Sequence, residues 1–123
     1  MENCRKNTLR LGKKGEDAAV RYLERKKYKV VIRGFRMFRG EIDIISYDTS
    51  GTLVFTEVKT RTIRNFGLPE ESVTSAKQEQ VRKIAQGYLV RNRLGDIPCR
   101  FDVISVLIED ERSPVVTHIE DAF

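Results

Sequence analysis

Residues 41–59 run Glu41-Ile42-Asp43-Ile44-Ile45-Ser46, then through Asp48-Thr49-Ser50-Gly51, then Leu53-Val54-Phe55-Thr56-Glu57-Val58-Lys59. Both flanks are rich in β-branched and aromatic residues, and the polar cluster between them is a turn signal, so the stretch predicts two strands. The short connection makes them an antiparallel pair. Side chains alternate along a strand, so Leu53, Phe55, Glu57 and Lys59 share a face that starts apolar and ends in a carboxylate and an ammonium. Charges that close a core-directed face are costly unless they are paired or bind a metal. With Asp43 on the neighbouring strand, the pattern suits a hard cation, Mg²⁺ or Mn²⁺, which prefers carboxylate, carbonyl and water oxygens. An acid-x-Lys at a strand end also arises as plain solvated charge, so the rest of the chain must weigh between the two.

Upstream, Asn7 or Thr8 can cap a first helix that reaches Lys26 or Lys27. At 100° steps, Leu9, Gly12, Glu16, Ala19, Val20 and Leu23 form one stripe. Glu16 stands near its middle, where an acid is unexpected. The dipole of a helix N-terminus would accommodate it, but two more turns of apolar stripe follow, which favours a functional role. Gly12 and Gly15 weaken a helix and suit a place where a backbone or a phosphate comes close. Lys13 and Lys14 beside them are either solvated or meet a phosphate. Residues 28–33 read as a first strand, and residues 34–40 as the turn toward Asp43. Arg33, Arg36 and Arg39 interleave with Phe35 and Phe38. That mixture suits nucleic acid, and alternation of core aromatics with solvated arginines explains it equally well.

Downstream, residues 60–71 read as a long loop that carries Arg61 and Arg64. Ser75-Ala76-Lys77-Gln78 fits a capping box, and Val81, Ile84, Ala85, Tyr88 and Leu89 follow at helical spacing. Lys77 and Gln78 flank that stripe at the positive end of the helix dipole, a place for an anion; snorkelling and capping account for them as well. Residues 100–108 predict a central strand, with Asp102 near its start as a structural acid or, less in keeping with its place, a group that supports the site from behind its ligands. Residues 115–119 form a weak edge strand, whose His118 is given no catalytic role. Residues 1–7 and 120–123 are expected to be loose.

The order is helix, strand, strand, strand, helix, strand, with a possible extra strand: an α/β domain in which a mixed sheet lies between helices. At 123 residues and 40% hydrophobic content, one domain accounts for the whole of residues 1–123. An excess of 23 Lys+Arg over 18 Asp+Glu gives a net charge of +5, which suits a polyanionic partner. No apolar run approaches the roughly 18 residues of a membrane span, and the first residues lead into no signal-like apolar stretch. Cys4 and Cys99 lie far apart and read as free thiols in a reducing, cytoplasmic compartment.

From about residue 11 to 106 the chain resembles the YraN family of bacterial proteins. The resemblance rests on Gly15-Glu16-x-x-Ala19, Gly40-Glu41-Ile42-Asp43-Ile44-Ile45, Phe55-x-Glu57-Val58-Lys59-x-Arg61, Phe66-Gly67 and Arg100-Phe101-Asp102-Val103. That family is similar to the PD-(D/E)XK nucleases, with a restriction-endonuclease-like fold. Among them it most resembles archaeal Holliday-junction resolvases, which also carry an acid on the first helix. The resemblance implies that Asp43 and Glu57 ligate a divalent metal, Mg²⁺ or Mn²⁺, with the Val58 carbonyl as a further ligand. Lys59 would activate the attacking water, Glu16 would hold the metal directly or through water, and Lys77 or Gln78 would approach the scissile phosphate. The implied activity is metal-dependent hydrolysis of DNA, on branched or recombination intermediates, by a two-fold homodimer. Lys13, Lys14, Arg36, Arg39, Arg61 and Arg64 would then lie along the nucleic acid. Two positions depart from the pattern: Ile42 stands where the superfamily name has proline, and Gly34 where an asparagine is expected. The alternative is a non-catalytic nucleic-acid-binding module on the same fold.

Overall fold

A computed structural model describes residues 3–62, 73–109 and 112–123, with side chains from residue 10 onward. Seven elements follow in order: α1 (Asn3–Arg25), β1 (Lys29–Met37), β2 (Gly40–Tyr47), β3 (Leu53–Thr62), α2 (Ser75–Arg91), β4 (Cys99–Ile108) and β5 (Val115–Ile119). The strands form one sheet in sequence order. β3 and β4 run parallel, joined across α2, and the other neighbours are antiparallel. This is the mixed α/β sheet expected of a restriction-endonuclease-like domain, with the weak fifth strand present at the edge.

Each helix covers one face. Ala18, Ala19, Val20 and Leu23 of α1 pack on Ile44, Val54, Ile104 and Val106. Val81, Ile84, Ala85 and Tyr88 of α2 pack on Phe35, Ile42, Ile45, Leu53 and Phe55. The period-2 strands and 3.6-period helices thus bury the residues their spacing selects. One place breaks the rule. Ile42 and Ile44 are two apart on β2 and both fully buried, yet they belong to opposite cores. The register pairs Arg33 with Ile44 and Phe35 with Ile42, which sets Gly34 across from Asp43. Gly34 has φ +64, a left-handed conformation that glycine adopts without a Cβ penalty. The strand pair turns over at this position.

β1 runs four residues beyond its predicted end, since Arg36 and Met37 pair with Glu41 and Gly40. The turn is therefore only Phe38 and Arg39, at φ 54 and φ 60. Two consecutive left-handed residues make a type I′-like hairpin turn, normally the place of Asn-Gly; a bulky residue there costs about 1 kcal/mol or more. β3 also exceeds its prediction. Thr60, Arg61 and Thr62 are strand rather than loop, held by the parallel ladder to Val106, Leu107 and Ile108. The remainder of that predicted loop, with Arg64 and Phe66-Gly67, lies outside the described residues.

Helix α1 starts earlier than expected, whereas α2 starts at Ser75 as expected but on a different cap. α1 begins at Asn3, not at a cap on Asn7 or Thr8. The N-cap of α2 is Thr74, whose side chain accepts from the Lys77 N–H at 3.2 Å, and the Gln78 amide donates to the Val73 carbonyl at 3.1 Å. Capping needs an extended residue three before the N–H it satisfies, and Thr74, at ψ 164, is that residue. At their other ends the helices close alike. Tyr28 donates to the Leu23 carbonyl and Lys27 to Glu24; Leu94 donates to Leu89 and Arg93 to Val90. Lys27 (φ 70) and Arg93 (φ 53) take the left-handed position, so each end is a Schellman cap with an apolar pair across it.

The C-terminal residues, expected to be loose, are docked. The Ala122 N–H donates to the Phe101 carbonyl at 2.7 Å, and Phe123 stacks on Phe101 at 5.3 Å. Asp102, fully buried, organises this end of the sheet. It accepts from Arg100 Nε at 2.8 Å, from the Asp121 N–H at 3.0 Å and from His118 Nε2 at 2.7 Å. Arg100 extends the network to Asp48 and to the Tyr28 hydroxyl. Buried acids need this degree of pairing, so Asp102 is the structural acid its position suggested, and His118 is its partner rather than a surface group.

Candidate active site

The ladder between β2 and β3 ends at Ile44 and Thr56. Beyond that point the strands part, and the central strand β3 would leave its outward N–H groups without partners. Asp43 enters the gap: its Oδ2 accepts from the Val58 N–H at 2.7 Å. A side chain thereby takes over from the missing strand, as a buried backbone donor requires. The same parting opens a cleft of about 550 Å³ against α1, with Lys13, Glu16, Arg33, Asp43, Val58 and Thr60 in its walls.

Gly15 sets the distance of α1 from the sheet. A methyl group at Gly15 would collide with Thr60 Oγ1. Its absence lets the helix settle on β3 and brings Glu16, the next residue, over the cleft. Gly12, the other glycine of the predicted stripe, has nothing within 4 Å of where a Cβ would stand, so close approach explains Gly15 alone.

Oxygens of Glu16, Glu41 and Asp43 lie within 4.8 Å of one another. Burial, then the charge of Glu57, and then Glu41 and Glu16, push the Asp43 carboxyl up to about 7, against the opposing hydrogen bond from Val58. Arg33 answers part of this negative charge. Its Nε donates to Glu16 Oε1 at 2.9 Å and its Nη2 to Asp17 Oδ1 at 2.6 Å. That second bond, with the Arg33 charge, holds the Asp17 carboxyl low against its partial desolvation.

Glu57 is 5% exposed and sits between two ammonium groups, Lys77 at 3.5 Å and Lys59 at 3.8 Å. Lys59 comes from the same strand face, as the alternation predicts, and Lys77 reaches across from the first turn of α2. Glu57 therefore neighbours the acid trio electrostatically while its carboxylate engages the lysines. Glu41, which sequence reasoning did not single out as a ligand, occupies the place beside Asp43. The Glu41-x-Asp43 spacing is the same acid-x-charge signal that drew attention to Glu57-x-Lys59. Val58 joins the site through its N–H.

A family model described as "Uncharacterised protein family UPF0102" matches residues 15–106. The chain is 42% identical over 118 residues to the UPF0102 protein of Trichlorobacter lovleyi, covering 96% of this chain and 93% of that protein. It is 49% identical over 113 residues to the UPF0102 protein of Geobacter metallireducens, covering 92% and 91%. This chain belongs to the UPF0102 family. UPF0102 is the YraN family that the motifs resembled, within the PD-(D/E)XK-like superfamily. The matched span of this UPF0102 chain takes in the whole acid cluster and both lysines.

The remaining candidates in this UPF0102 protein are spread more widely. Lys13 lines the cleft, whereas Lys14 is exposed beside it. Arg36, its side chain 83% exposed, pairs with Glu41 at 3.1 Å. Arg39 is exposed at the hairpin tip. Arg61 lies on β3 with its Nε buried and without a partner among the described residues. Gln78 is held by its bond to Val73, so of the two residues expected to approach a phosphate, Lys77 is the one at the acids. Cys99 is a free thiol. Among the described residues, no helix is long and apolar enough to cross a membrane.

Proposed function

We propose that this protein is a cytoplasmic, divalent-metal-dependent nuclease that hydrolyses phosphodiester bonds in DNA, on branched or recombination intermediates. The observation that carries the reading is the convergence of Glu16, Glu41 and Asp43 oxygens within 4.8 Å, beside the Lys59–Glu57–Lys77 group. Three carboxylates in so small a space repel one another, and Glu41 and Glu16 add to the burial and the Glu57 charge that raise the Asp43 carboxyl. An all-oxygen donor set fits a hard cation, Mg²⁺ or Mn²⁺. Asp43, Glu41 and Glu16 would hold it, with Glu57 free to join them when its lysines turn to substrate. Bound there, the ion supplies an acidified water and a polarised phosphoryl oxygen.

The chain's own residues do the rest. Lys59 orients the attacking water and offsets charge on the phosphoryl group. Lys77, at the positive end of α2, meets the phosphate or its neighbour. Arg33, which pairs with Glu16, would be free to meet a flanking phosphate once a cation held that carboxylate. Hydrolysis adds water across one P–O ester bond and leaves a phosphomonoester and a hydroxyl. The net charge of +5 favours the polyanion, and a two-fold dimer would match the symmetry of a four-way junction. Sedimentation as a monomer at micromolar concentration would remove the dimer from this account.

The decisive experiment incubates the protein with duplex, single-stranded and four-way-junction DNA, with Mg²⁺, with Mn²⁺ and with chelator. Metal-dependent cleavage is expected, lost in Asp43→Ala. Equal cleavage by that variant would place the chemistry elsewhere. Salt-sensitive binding without cleavage under any metal would select the non-catalytic nucleic-acid-binding module instead.

A further inference from the structure

The tip of the β1–β2 hairpin is strained and exposed where a plain turn would suffice. Phe38 and Arg39 both hold left-handed backbone conformations, a place that Asn and Gly take at no cost. Strain of this kind persists where something else requires the residue. Phe38 is 53% exposed. One side of its ring is fixed: Lys83 Nζ lies 5.0 Å from the ring centroid, and a Cβ at Gly87 would meet Phe38 Cε2 at 2.9 Å. The ring thus rests on α2 as a set platform. Beside it a depression of about 510 Å³ is lined by Met37, Phe38, Lys83, Gly87, Val90 and Arg91. Two cations of α2, Lys83 and Arg91, border this apolar spot, and the exposed Arg39 follows Phe38 in the turn. Arg36 pairs with Glu41, so the tip adjoins the acid cluster.

We propose that Phe38 is a stacking platform for an unpaired nucleobase, with Lys83, Arg91 and the adjoining Arg39 as its phosphate contacts. The inference rests on the nuclease reading for the identity of the polymer and specifies the substrate: a strand with an unstacked base close to the phosphate under attack. An exposed ring set among cations matches a base and its phosphates, since stacking tolerates any base and the charges follow the backbone. An apolar protein side chain would have no use for these positive neighbours.

The chain contains no tryptophan, so Phe38→Trp installs a single fluorescent reporter at the platform. Phe38→Asn removes the ring and suits the turn, so its Tm should not fall. Binding is measured by anisotropy, with Ca²⁺ to balance the carboxylates, on a fully paired duplex and on a duplex carrying a single-stranded extension. Phe38→Asn is expected to bind the extended duplex about tenfold more weakly than the unaltered protein, the scale of one base–aromatic stack, with little change on the paired duplex. The Phe38→Trp emission is expected to be quenched by the extended duplex alone. Unchanged affinity in Phe38→Asn, or unquenched emission while anisotropy reports binding, overturns the platform and leaves the nuclease reading intact. Failure to bind any oligonucleotide overturns both.

Discussion

Asp43 carries two duties that pull in opposite directions. Its hydrogen bond to Val58 fills a gap in the sheet, while burial and three neighbouring acids oppose its charge and raise it to about 7. The sign of the pH dependence follows. A carboxyl whose folded value exceeds its unfolded value of about 3.9 contributes stability that is present below that value and lost as pH rises through about 7. Without metal, Asp43→Asn should therefore stabilise the protein at pH 8, by on the order of 2 kcal/mol, and change little at pH 4. Urea melts at the two pH values check this, and equal effects at both would contradict it. Glu57 and Lys59 were legible in the sequence because a period-2 pattern puts them on one face. Glu41 was not weighed as a ligand because it read as part of a strand flank. The Arg33 pairing with Glu16 and Asp17 has no local signature at all: it joins residues on separate elements.

At the level of elements, helix α2 was readable because one apolar stripe and one core face coincide. Strands β1 and β3 read short, for different reasons. In β1, Gly34 and the arginines read as a turn although Arg36 and Met37 pair with Glu41 and Gly40; the last residues of β3 are polar or charged and are kept extended by a strand distant in sequence, Val106 to Ile108. The helix ends illustrate a cost that local patterns do reveal once the bonds are known. Lys27 and Arg93 hold the left-handed position of twin Schellman caps, where glycine is the usual residue. Lys27→Gly and Arg93→Gly should each stabilise by up to about 1 kcal/mol, after the entropic cost of glycine, raising Tm by about 4 °C. Scanning calorimetry of the single variants measures this directly, and a fall in Tm would mean that the lysine or arginine side chain has contacts that matter more than its backbone.

Across the whole molecule, the element order and a mixed sheet between helices followed from the alternation of elements, while the order of strands within the sheet did not. The docked C-terminal residues did not either, because Glu120 to Phe123 carry no periodic pattern and are held by Tyr28, Phe101 and the buried Asp102, all distant in sequence. Hydrogen bonds from His118, Arg100 and the Asp121 backbone hold the Asp102 carboxyl below the usual range even though burial opposes its charge. That stability is present above the unfolded value of about 3.9 and is lost as pH falls through the lower folded one. Asp102→Asn should cost about 3 kcal/mol at pH 7, as removal of one partner from a buried ionic network does, with the difference from the unaltered protein shrinking below about pH 4. A constant difference across that range would show that shape, not charge, is what Asp102 supplies.

The half-turn of the sheet at Gly34 and Asp43 binds architecture and chemistry to one point. Because the backbone flips there, Ile42 and Ile44 feed different interiors. Inserting or deleting a single residue on either side would exchange the two interiors' tenants as well as displace the acid. Substitution by asparagine at position 43, which keeps an acceptor for Val58, leaves the frame standing; a shift in spacing does not. Descendants of this chain could thus lose the carboxylate and keep the scaffold, but could not move the carboxylate along the strand.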